Sequence, residues 1–90
     1  MPHLAATYAI YDPLLRQFRS NFSGEHWSTD LADAAFYRTE EAANRMITAR
    51  RNKWARLKTE WRDHVNGPSA RTTFEKWQRA FVREVRLETR

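Results

Sequence analysis

The strongest constraint on this chain is a change of period at Thr39. Before it, in HLAATYAIYDP, Leu4, Ala6, Tyr8 and Ile10 alternate with Ala5, Thr7, Ala9 and Tyr11, the two-residue rhythm of a strand with two distinct faces. After it, the residues up to Asn66 contain neither proline nor glycine, and apolar side chains recur every three or four positions. One stretch asks for a sheet and the other for a helix, so the expected class is α+β.

Within residues 1–38, expected to be mainly β, Asp12-Pro13 favours a turn because Pro presets φ at the second turn position. Phe18 and Phe22 in LLRQFRSNF suit a second antiparallel strand, giving a hairpin that Ser23-Gly24 ends. WSTDLADAAFYRT reads as a short helical turn capped by Ser28 or Thr29, leading into a third short strand at 35–37.

Thr39 is a good N-cap, with Glu40 and Glu41 in the first turn where the helix dipole favours negative charge. The helix expected over 39–66 is roughly 40 Å long at about 1.5 Å per residue. Asn66-Gly67-Pro68 is a strong stop signal, and Thr72-x-x-Glu75 has the form of a capping box opening a second helix over 72–88. The expected whole is one domain over 1–90: a small antiparallel sheet, hairpin plus third strand, packed against the long helix. That helix outruns a globule of this size, so its second half projects, packs in an oligomer, or pairs with the C-terminal helix. The short NGPSAR connection favours the last arrangement, a helical hairpin.

On a helical wheel Met46, Ile47, Trp54, Leu57, Trp61 and Val65 form one stripe, and Phe74, Trp77, Phe81 and Val85 form a complementary one. The tryptophans are therefore expected in the core rather than as base-stacking or membrane-inserting groups. Arg50 falls within the apolar stripe, where it must snorkel out or pair with an acid such as Asp30 or Asp33.

Charge is unevenly divided. Residues 1–44 hold three basic residues against six acids, whereas 45–90 hold thirteen against five, so all of the basic excess lies in the second half. Thirteen of the sixteen basic residues are Arg, the side chain suited to bidentate contact with phosphate and carboxylate. Arg45, Arg51, Lys53, Arg56, Lys58 and Arg62 lie on the flanks and back of the first helix. Lys76, Arg79, Arg83 and Arg86 fall on one face of a helix over 72–88, opposite its apolar stripe. Together these ten residues make an expected basic ridge for an anionic partner, either nucleic acid or a nucleoprotein complex or an acidic protein. The alternatives are a plain solvated face and a self-association module, monomer or homodimer, acting through Trp54, Leu57 and Trp61 of the long helix. Membrane-surface binding would need the apolar stripe free, leaving the sheet uncovered. The long unbroken first helix does not read as a helix-turn-helix.

Catalysis is not expected. The chain has no cysteine and only two glycines, its three histidines (His3, His26, His64) are far apart, and no nucleophile–base pair stands out. Asp30, Asp33, Glu40 and Glu41 are explained as caps and first-turn residues, so neither a metal nor another cofactor is implied. No apolar run reaches the roughly 18–20 residues of a membrane span, and the N-terminal residues lack a signal-peptide plan; a cytoplasmic protein is the expectation.

YAIYDPLLRQF, followed by the pattern W-S-T-D-L-x-D-A and by F-Y-R-T-E-E-A-A, resembles small proteins of bacteriophages and mobile elements in which a hairpin leads into a long helix. The resemblance covers residues 7–47 and its motifs are structural. Such proteins include anti-CRISPR inhibitors of host defence, which share no sequence motif, so it transfers no functional residues. It implies a phage-encoded inhibitor acting on a CRISPR-type effector complex; a basic one would bind acidic protein surfaces or the guide RNA or DNA.

Overall fold

Alternation in the first residues produces β1 (His3–Asp12), the strand around which everything else is arranged. The structure, a computed structural model, describes residues 3–21, 26–58 and 67–89. β1 turns at Pro13–Arg16 into β2 (Gln17–Arg19), with Tyr11 opposite Phe18 and Asp12 opposite Gln17. The Asp12 carboxylate fixes the turn by accepting from the Leu14 N–H at 3.1 Å, and Arg16 closes it in the left-handed region at φ 55°. The expected hairpin is present, with a second strand of only three residues.

β3 is Trp27–Ser28, paired with β2, so the third strand lies earlier than the expected 35–37. Residues 34–37 instead cross the sheet as two single bridges, Ser20 to Ala34 and Tyr8 to Tyr37. Tyr8 and Tyr37 exchange both backbone hydrogen bonds, at 3.0 and 2.8 Å. The expected helical turn is a 3-10 turn, Leu31–Asp33, whose cap is Asp30 rather than Ser28 or Thr29: its carboxylate accepts from the Ala32 N–H at 2.9 Å. Ser28 donates to Asp33 at 3.1 Å.

α1 (Glu40–Arg56) starts where expected, with the Thr39 hydroxyl accepting from the Ala42 N–H at 3.1 Å. It is capped at Leu57; residues 59–66, over which it was expected to continue, lie outside the described residues, as do Trp61 and Val65. α2 (Gly67–Arg79) begins at Gly67, not at Thr72. Pro68 fits the first turn of a helix, where its missing N–H has no intrahelical partner to lose. Thr72 is therefore an interior helical residue and not a cap.

The largest departure is β4 (Phe81–Thr89), a strand where a helix through residue 88 was expected. Phe81 and Val85 continue the i, i+4 stripe of Phe74 and Trp77, but EVRLE at 84–88 also alternates, and valine favours a pleated surface. The competing readings are decided by β1. β2 pairs with only its last residues, and β4 supplies nine antiparallel partners from His3–Thr89 to Tyr11–Phe81, satisfying backbone groups that a second long helix would leave open. The result is a four-stranded antiparallel sheet in the order β3-β2-β1-β4 with two helices, an α+β fold.

Both helices contribute to a core on one sheet face: Ile10, Trp27, Ala43, Ile47, Trp77 and Ala80, joined by Tyr8, Tyr37, Met46, Trp54 and Val82. Trp77 is fully buried and meets Trp27 edge-to-face at 5.1 Å. An aromatic pair of this kind adds about 0.5–1.5 kcal/mol beyond its area burial. Trp54 packs against this core, as its stripe implies. On the opposite face Ala9, Phe18 and Ala34 are buried with Tyr11, Leu31 and Val85 around them.

Candidate anionic-partner surface

The solvent face of α1 is set by what its other face buries. Ala43 and Ile47 point into the core, which leaves Arg45, Thr48, Ala49, Asn52, Lys53 and Arg56 exposed. Arg45, Asn52 and Arg56 fall within about 40° on the helix, with Lys53 beside them, and Arg45 to Arg56 spans roughly 16 Å of axis. Arg45, Lys53 and Arg56 make no ion pair with another described residue. Glu41, Asn44, Arg45 and Thr48 line a shallow depression of about 420 Å³ at the N-terminal end of this face.

Several of the other expected cations are engaged within the fold. Arg51 caps the C-terminus of α2: its Nε donates to the Trp77 carbonyl at 2.7 Å, and its Nη2 to those of Gln78 and Ala80 at 3.2 and 2.9 Å. Orphan carbonyls at a helix end are thereby satisfied by a charged donor from a neighbouring helix. Lys58 lies 5.8 Å from the centre of the Phe74 ring. Arg62 lies outside the described residues.

At the end of α2, Lys76 is half-buried with its ammonium 5.6 Å from the Trp27 ring centre. Desolvation lowers its pKa, the Arg79 charge adds to that, and Asp12 opposes both. Arg79 forms a two-pronged pair with Asp12. The shift to a strand at residue 81 separates the rest of the expected face. Arg83 lies 5.0 Å over the Tyr11 ring, on the sheet face away from the main core. Arg86 points to the other face, with its Nη2 3.7 Å from Glu84, both side chains well exposed. The four cations 76, 79, 83 and 86 therefore do not share one helical face, and among the described residues the expected ridge does not continue from α1 along a second helix.

Arg50 is half-buried, and its charge, with that of Arg19, acts on Tyr37, whose hydroxyl pKa is raised by burial against both cations. Arg19 is itself buried and holds the carbonyls of Ser20 and His26 at 2.7 and 3.3 Å.

A further cluster forms where β1 and β4 lie side by side. Tyr11 contacts Phe18 at 4.9 Å and Phe81 at 5.8 Å, and Phe81 remains 46% exposed, so an aromatic and cationic group opens on the sheet face away from the helices. The sequence signals it only if residues 81–89 are taken as a strand, whose two-residue period places Phe81 and Arg83 on one side.

Among the described residues no three His, Asp or Glu side chains come together as a metal-binding group, and no helix is long and apolar enough to cross a membrane. No protein-family model matches this chain, and no match emerges among curated proteins or solved structures.

Proposed function

We propose that this is a non-enzymatic binding protein that docks onto nucleic acid, alone or within a nucleoprotein complex, through the solvent face of α1. The observation that carries this reading is the row Arg45, Lys53 and Arg56: three cations on one rigid helix, with no ion pair to a described acid. A row of this length faces several phosphates of a nucleic-acid backbone, and a helix holds its spacing fixed. Arg51 and Arg79 fall outside the surface because their donors are already engaged. The likeness of residues 7–47 to phage and mobile-element proteins extends the proposal to inhibition of a host defence complex of the CRISPR type, in which guide RNA or bound DNA is the anion.

Fluorescence anisotropy with a labelled 20-nucleotide single-stranded RNA and a labelled DNA duplex, across a salt series, tests the docking surface. Three phosphate contacts give a slope of log K against log salt of about −2 for a single strand and about −2.7 for a duplex. Replacing Arg45, Lys53 and Arg56 together by Gln is expected to abolish that slope while leaving the circular dichroism spectrum unchanged. A folded triple variant that binds with unaltered affinity and slope rules the surface out.

A further inference from the structure

We infer that β4 is a self-pairing edge: two copies of the chain join antiparallel along residues 81–89, with Val85 on the two-fold axis, into one continuous eight-stranded sheet. The inference does not depend on the nucleic-acid reading.

β4 is the last strand in the order β3-β2-β1-β4, and it is nine residues long, whereas the strand at the opposite edge has two. Every second residue of β4 therefore turns its N–H and C=O away from β1, and among the described residues no strand or single bridge pairs with that side. The strand contains no proline, and neither bridge of residues 34–37 reaches it. Arg83, Glu84 and Arg86 are exposed.

Charged side chains on an edge strand usually guard against pairing, because like charges meet. Here the guard has opposite signs at positions 84 and 86, which lie on the same face and already approach to 3.7 Å within one chain. Symmetry then selects the register. In a continuous sheet, two strands related by a two-fold axis must pair some residue with its own copy, because a pairing offset by one would put facing residues on opposite faces. Centring on Arg83, Glu84 or Arg86 sets that charge against itself. Centring on Val82 or Leu87 pairs at most five of the nine positions. Centring on Val85 pairs all nine and puts Glu84 opposite Arg86 twice, so the pair within each chain becomes a ring of four alternating charges. The axis stands perpendicular to the sheet, so both copies of α1 cover the same side.

Sedimentation equilibrium of the full chain at concentrations up to on the order of 100 µM, set against Glu84→Arg, Arg86→Glu and the double exchange, tests this. The wild type is expected to reach twice the monomer mass of 10.8 kDa. Each single reversal puts like charges opposite one another and is expected to weaken the dimer roughly 10- to 100-fold, and the double exchange to restore it. Hydrogen exchange of the wild type alone gives a second readout: alternate β4 amides exchange more slowly at high than at low concentration. A wild type that stays monomeric, a dimer indifferent to both single reversals, or β4 amides insensitive to concentration overturns the inference.

Discussion

Arg79 ties the end of α2 to the end of β1 by donating from Nε and Nη2 to the two carboxylate oxygens of Asp12, each at 2.8 Å. Asp12 is completely buried while Arg79 keeps about a quarter of its side chain in solvent. Removing the arginine therefore leaves a buried, uncompensated carboxylate. Arg79→Met is expected to cost about 3–5 kcal/mol in chemical denaturation. Asp12→Asn is expected to cost less, because the remaining cation reaches water. Equal losses for the two would contradict this asymmetry.

The same pair sets a pH response. Burial raises the Asp12 pKa, but the hydrogen bond from Arg79, the Leu14 N–H and the Arg79 charge together outweigh it, and the net position is below the ordinary 3.8. A carboxyl whose folded pKa is depressed contributes its stability fully above the unfolded value and loses it as pH falls through the folded one. The denaturation midpoint of the wild type is accordingly expected to fall as pH drops below 3.8, and its advantage over Asp12→Asn to shrink there. An advantage that is the same at pH 6 and pH 2 would show that the carboxylate charge is not the source.

Arg51 belongs to the fold. Its three contacts to the Trp77, Gln78 and Ala80 carbonyls at the end of α2 predict that Arg51→Met destabilises the protein by about 1.5–3 kcal/mol, the range for hydrogen bonds to a charged group. Under conditions where the variant remains folded, its salt-dependent RNA binding is expected to match the wild type. Weakened binding at unchanged stability would move Arg51 back into the docking surface.

Arg16 is the only described non-glycine residue at positive φ. Its left-handed conformation costs a residue bearing a Cβ about 1 kcal/mol, which Gly avoids while gaining entropy in the unfolded state. Arg16→Gly is expected to leave stability unchanged or raise it by up to about 1 kcal/mol, read as a higher melting temperature. A clear loss would mean that the arginine side chain itself supports the turn.

The parts of this fold legible in the sequence were those with local causes. Alternation in β1, the Asp12-Pro13 turn and the Thr39 cap each depend on residues within a few positions of one another. What could not be read was decided at long range. Residues 81–89 fit either period, and only the unfilled edge of β1 selects the strand. Arg51 looked like a flank cation because its partners are carbonyls 26 to 29 residues away, and a backbone acceptor leaves no trace in a sequence. Lys53, Arg45 and Arg56 could be placed on the solvent side because α1 itself is local. Tyr11, Phe81 and Arg83 could not be grouped without knowing that two strands lie side by side.

The β1–β4 ladder also governs when the protein can fold. β1 emerges from the ribosome about 70 residues before its main partner, a delay of several seconds at roughly 5–20 residues per second. During that time the edge of β1 that receives β4 stays open, because β2 and the Tyr37 bridge lie along its other edge. The sheet is completed only once residues 81–89 have cleared the exit tunnel. Over those seconds the nascent chain presents an open strand, Ala5 through Ile10, to any chaperone or neighbouring polypeptide that reaches it first.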